Sequence, residues 1–236
     1  MQATAGARLT ECPPCGRGRL QGKLLQHGTL PQGFTVPCAQ PVARPILAGM
    51  NSDSLKDQFL VAMPQLDDPN FEHSLTYILE HNEHGAMGLT LNRPVDIRYE
   101  DVMEDLGIEL TATIGPGHQV VAGGPVQPDA GFILHPPTDK PYNSTIALRD
   151  DLCLTTSRDI LDAIARGEGP AQSLMALGYA GWTPGQLEQE LAQNSWLTVP
   201  ASAEIIFDVP FAQRWQTAAR ALGVDINLLS GQAGHS

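Results

Sequence analysis

Leu75 to Leu91, LTYILEHNEHGAMGLTL, is the stretch on which the fold of this 236-residue chain turns. Leu75 to Glu80 (LTYILE) reads as a strand, Asn82-Glu83-His84-Gly85 as a polar loop, and Ala86 to Leu91 (AMGLTL) as a second strand. Two such runs with turn chemistry between them form a β-hairpin. Upstream, Gln58 to Met63 (QFLVAM) is a buried strand stopped by Pro64. Asp67-Asp68-Pro69-Asn70 is a turn, with Pro69 placed to start a single helical turn.

Downstream, Val102, Met103 and Leu106 recur at helical spacing and end at Gly107. Val120 to Ala122 and Gly131 to Leu134 read as a strand pair around Gly123-Gly124-Pro125, and Thr145 to Leu148 adds another strand. A helix opens at Thr156 or Ser157, places Ile160, Leu161 and Ile164 on one face, and stops at Gly167. Ser173 to Tyr179 returns to strand. Thr183-Pro184-Gly185-Gln186 is a helix start, with Thr183 as cap and the Gln186 side chain reaching back. Strands are expected at Trp196 to Val199 and Ile205 to Phe207, and a last helix from Pro210 turns Phe211, Trp215, Ala218 and Leu222 inward. Hairpins with irregularly interspersed helices indicate an α+β fold of one domain, not a regularly alternating parallel sheet.

Lys+Arg 14 against Asp+Glu 26 gives a net charge of -12, which repels the phosphate backbone and makes direct nucleic-acid binding unfavourable. No run approaches the roughly 18 apolar residues that span a bilayer. No compact apolar signal core is present either, so a cytosolic location is expected, without membrane association. Residues 1 to 49 are a different text, dense in Gly, Pro, Arg and Ala, and read as a disordered leader ahead of a domain over 50 to 236. Arg8, Arg17, Arg19, Lys23 and Arg44 against Glu11 give the leader +4 and leave -16 on the remainder. Cys12, Cys15, His27 and Cys38 superficially offer four zinc ligands, but His27 and Cys38 stand singly where a structural site shows two paired knuckles. The simpler expectation is that Met50 is the initiator. No cofactor or metal is called for.

Several residues carry chemistry. Asn92-Arg93-Pro94 follows a strand directly, where an arginine can clamp a carboxylate or phosphate or hold a loop by an ion pair. Gly123 and Gly124 can present amides to an anion or form a tight turn. His135, before Pro136-Pro137, is a general-base candidate without an evident orienting carboxylate, and a buried structural histidine is the simpler reading. His81, Glu83 and His84 crowd one loop and read as solvated. Glu188 and Glu190, two apart on a helix, point in different directions and read as solvated helix charges. Cys153 reads as a small buried hydrophobe. Tyr179 and Trp182, around Ala180-Gly181, either line a ligand groove or pack under the next helix.

Taken together, seven stretches resemble the AlgH/YqgE family of bacterial proteins. They are Leu55 to Phe71 (LKDQFLVAMPQLDDPNF), Glu80 to Pro94 (EHNEHGAMGLTLNRP), Gly123 to Val126 (GGPV), Gly131 to His135 (GFILH), Ala176 to Trp182 (ALGYAGW), Gln186 to Trp196 (QLEQELAQNSW) and Ile206 to Trp215 (IFDVPFAQRW). The resemblance implies a compact α+β fold with a bifurcated sheet and a small barrel-like portion. It also implies a regulatory label, tied to exopolysaccharide control in one branch, but no helix-turn-helix signature accompanies it. The leading expectation is a regulatory or ligand/protein-binding domain that acts indirectly on gene expression through a protein or small-molecule partner. The alternative is an enzyme with Arg93, Gly123, Gly124 and His135 around one anion pocket.

Overall fold

The structure, a computed structural model, describes residues 54–223. The leader, its cysteines and Met50 lie outside the described residues. In chain order the elements are β1 (Gln58–Ala62), β2 (Leu75–Asn82), β3 (Gly85–Thr90), α1 (Tyr99–Asp105), β4 (His118–Ala122), β5 (Val126–His135), β6 (Thr145–Arg149), β7 (Leu152–Thr155), α2 (Asp159–Ala165), β8 (Ser173–Trp182), α3 (Gln186–Ala192), β9 (Trp196–Pro200), α4 (Ala203–Phe207) and α5 (Phe211–Arg220).

β2 and β3 form the expected hairpin, paired from Thr76 opposite Thr90 to Asn82 opposite Gly85 with a one-residue register shift between Ile78 and Glu80, and with Glu83 and His84 at its tip. β1 adds antiparallel to β2, and β9 to β1. On the other side β3 meets β8, and the sheet continues through β5 and β7 to β6, giving the order β6-β7-β5-β8-β3-β2-β1-β9. The sheet curls into a half-barrel. Arg149, at the end of β6, donates to the Ala201 carbonyl just past β9, so the two outer strands come together there. α4 and α5 fill the concave side, where Ile206, Ala218 and Ala219 pack against Phe59, Val61, Leu89, Val121 and Leu134. On the convex side α1 and α2 cover Val120, Ile133 and Met175, while α3 covers Leu60, Ile78 and Ala180 through Leu187.

The sheet forks on β8. One edge of β8 is paired by β5. The other is shared: β4 runs parallel to it from His118 opposite Ser173 to Ala122 opposite Leu177, and β3 runs antiparallel to it at Ala180 to Trp182. β4 therefore enters as a wedge between β8 and the chain that leaves β3.

This corrects one expectation. β4 and β5 are both strands but do not pair with each other; the Gly123-Gly124 segment crosses β8's backbone instead of turning a hairpin. Ile205 to Phe207 is also helical, because two adjacent apolar residues fit either structure and the segment fills the half-barrel with Ile205 and Ile206. β7 was not anticipated at all. Leu222 does not face the core; it is 44% exposed, and the buried face of α5 is Arg214, Trp215, Ala218 and Ala219. The Gln186 side chain does reach back to the Thr183 amide at 3.0 Å, but Gly185, not Thr183, precedes the helix as its cap.

Candidate functional site

At the fork the chain bends away from β8. The Thr90 amide donates to the Gly123 carbonyl at 2.8 Å, and the Ala122 amide donates to the Arg93 carbonyl at 2.8 Å. The turn Leu91–Arg93 is then stapled to the segment before β2. Asn92 accepts from the Leu75 amide and donates to the His73 carbonyl, both at 2.8 Å, which uses both ends of its amide. Arg93 Nη2 donates to the Glu72 carbonyl at 2.7 Å. Its Nε is buried with no acceptor among the described residues, and the Ser74 hydroxyl close by in the stapled segment likewise has no partner among them.

A second arginine reaches this turn from α5. Arg214 has no exposed surface, and it donates to the Val209 carbonyl, the Leu91 carbonyl and Gln119 Oε1, with its guanidinium 4.4 Å from the Phe211 ring. Burial pulls its pKa down to about 10, so it remains charged at neutral pH. Among the described residues Arg98, Arg149, Arg158 and Arg166 each meet a carboxylate, whereas Arg93 and Arg214 are bonded only to neutral acceptors. In a chain so rich in acids, two guanidinium groups beside one turn without an anion make a local positive site.

His73 completes the picture. Its backbone is left-handed (φ 52), its ring lies edge-on to Trp215 at 4.6 Å between centroids, and its Nδ1 is 3.5 Å from Glu72 Oε1. Sequence reasoning missed both His73 and Arg214: Arg214 stood in the IFDVPFAQRW stretch only as a helix residue, and Asn92, Leu91 and Gln119, which hold the two, are distant in sequence.

The AlgH-like family model matches residues 59–227. The chain belongs to that family. A UPF0301 protein of Alcanivorax borkumensis is 58% identical over 186 residues, 79% of this chain and 98% of the relative, and one of Thioalkalivibrio sulfidiphilus is 54% identical over 78% and 98%. The solution structure of the AlgH protein from Pseudomonas aeruginosa is 47% identical, with a TM-score of 0.62 over 80% of this chain and 100% of that one. A Corynebacterium diphtheriae crystal structure at 20% identity and TM-score 0.59, covering 75% of this chain and 91% of that one, shares the fold.

In this AlgH-like chain the fork gathers Asn92, Arg93, Gly123 and Gly124, with the Tyr179 backbone against Gly124. The Gly123 amide is already committed to the Leu177 carbonyl at 2.7 Å. The Tyr179 ring packs on Phe132. Trp182 lies at the far end of β8 under α3, where Glu190 Oε2 accepts from its indole at 2.9 Å and from that of Trp196 at 2.8 Å, beside Phe71. Glu190 is thus no solvated charge. Nor is His81, whose side chain is only 7% exposed: its Nδ1 accepts from the Leu55 amide, which fixes the proton on Nε2 for Glu188 at 2.7 Å.

His135 is not brought to the fork. Leu134 pairs with Leu174, five residues before Tyr179 on β8, a separation of roughly 16 Å at the usual rise per residue. Its Nδ1 donates to the Pro136 carbonyl at 2.7 Å, and its Nε2 accepts from Thr155, whose hydroxyl lies 2.6 Å from that of Thr145. His118 is held in a similar way: Nδ1 meets Ser173 Oγ at 2.8 Å, and the Tyr99 hydroxyl meets the same oxygen at 2.7 Å. Among the described residues no cluster of three or more His, Cys, Asp or Glu is placed to hold a metal, and no helix is long and apolar enough to cross a membrane.

Burial lowers the pKa of both His118 and His135 below the ordinary 6.5. The unfolded chain then binds more protons than the folded one, so stability is full above about pH 6.5 and falls as pH drops toward the lowered folded values. The urea midpoint is expected to fall between about pH 7 and pH 5, and His135→Gln to flatten that slope. An unchanged slope in the variant would assign the loss to other groups.

Proposed function

We propose that the chain is a cytosolic regulatory protein that binds a small anion at the Arg93 turn and acts on gene expression indirectly. The supporting observation is the Arg93 guanidinium: anchored at one end to the Glu72 carbonyl and, among the described residues, free of any carboxylate, with a buried Nε that has no acceptor. A carboxylate or phosphate oxygen is the acceptor such a group takes most strongly. The regulatory part rests on the family label. The charge of -12 favours a route through a ligand or protein partner over contact with DNA. An enzyme using His135 together with Arg93 finds no support in this arrangement, since the two flank different stretches of β8.

The test is an anion titration at constant ionic strength, with sulfate and citrate replacing chloride and backbone amide and arginine Nε–H resonances as readout. Saturable shifts confined to residues 72–75 and 91–93 are expected, and Arg93→Gln should weaken binding at least about tenfold, the scale of one charge-assisted hydrogen bond. Linear shifts, or an unaffected variant, would remove the reading.

A further inference from the structure

We propose that His73 completes the anion site at Arg93, so that an oxyanion binds there together with a proton. This rests on the anion-binding reading above and specifies how the site is regulated.

The carbonyls of Glu72 and His73 are consecutive, and they are the acceptors of Arg93 Nη2 and Asn92 Nδ2 respectively. The backbone that carries the imidazole is therefore fixed to the turn that carries the guanidinium. That backbone is held at φ 52, a region few non-glycine residues occupy and one that persists where surrounding bonds over-determine it. The ring is oriented as well, because Trp215, against which it stands, is anchored by its indole to the Ala62 carbonyl at 2.8 Å. With a side chain 52% exposed, the imidazole remains open to solvent and ligand.

In contact with the ring is Glu72 on its own segment; Arg93, on the turn after β3, donates to the Glu72 carbonyl, and Arg214 precedes Trp215 on α5. Protonating His73 adds a positive charge to a segment already bonded to Arg93, where Glu72 is the one carboxylate in contact among the described residues. A bound oxyanion offsets that charge, and by linkage the proton in turn strengthens binding of the anion. Carboxylates and phosphates share this chemistry.

Sulfate is the suitable probe because its own charge does not change across the range in which imidazoles titrate. Its dissociation constant is to be measured by calorimetry on the full chain between about pH 5.5 and 8, with far-UV ellipticity confirming the fold at each point. Wild type is expected to bind about tenfold tighter at the acid end. His73→Asn, whose side chain also tolerates a left-handed backbone, should lose the slope, its affinity no longer rising toward the acid end. A pH-independent wild type, or a variant that keeps the slope, overturns the role of His73 while leaving the Arg93 site standing. Sulfate that fails to bind at any pH overturns the anion reading itself, and this inference with it.

Discussion

Arg214→Ala is expected to cost about 4 kcal/mol and to lower the melting temperature by roughly 8–15 °C, a loss readily seen by calorimetry. Three donors vanish at once, leaving the Val209 and Leu91 carbonyls and Gln119 Oε1 without their partner. The buried Leu91 carbonyl, orphaned, costs on the order of 1–3 kcal/mol, the part-buried Val209 and Gln119 acceptors cost less, and the emptied volume adds a cavity. Working against this is relief from burying a charge that no carboxylate compensates, which is why the total falls short of the sum. Two companions separate these contributions. Arg214→Met keeps most of the volume without the donors and should lose about 3 kcal/mol. Arg214→Lys keeps the charge, but one ammonium cannot serve three acceptors lying in different directions, so it should do little better. If Arg214→Met were as stable as wild type, the hydrogen bonds would merely balance the desolvation, and the residue's purpose would lie elsewhere. Because one of its acceptors is the carbonyl two residues before Arg93, the same variants should also weaken anion binding.

The hairpin was legible because polar turn residues interrupt two apolar runs, a signal contained within 17 residues. The strands β4 and β5 were legible for the same reason, but their pairing was not. Their common partner β8 begins more than 35 residues later, and nothing local in GGPV says whether the backbone turns or crosses. Asn92-Arg93 stood out as an arginine at a strand end before proline. Its hydrogen-bond partners on the Glu72–Leu75 segment, 17 to 21 residues upstream, did not. Arg214 was hidden by the ordinary assumption that a charge on an amphipathic helix faces water. His81 was hidden similarly, since a histidine in a polar loop gives no hint that a backbone amide and a distant glutamate hold both its nitrogens. In each case the missed fact is a partner remote in sequence, whereas the facts recovered are periodicities and turn residues that need none.

The fork yields the other large effect: Gly178→Ala and Gly124→Ala should each lose roughly 5 kcal/mol or more and accumulate little folded protein. A Cβ on Gly124 would lie 2.1 Å from the Tyr179 carbonyl carbon, and one on Gly178 would lie 2.5 Å from the Gly124 carbonyl oxygen. Both obstacles are backbone within a paired sheet, so no side chain can swing aside. Gly178 also sits at φ 73, which adds a conformational cost for any L residue. Gly185→Ala isolates that cost. It has nearly the same angle, φ 74, but nothing within 4 Å of the added carbon, so it should lose only about 1 kcal/mol. Urea denaturation of the three variants makes the comparison, and a Gly178→Ala protein as stable as Gly185→Ala would mean that the two backbones do not cross so closely. The crossing also positions the site. The Gly123 amide holds Leu177 while its carbonyl holds Thr90, the residue from which the Leu91–Arg93 turn departs. Any substitution that spreads β4 from β8 therefore displaces that turn from Arg214, so packing at the fork and the placement of Arg93 cannot be altered independently.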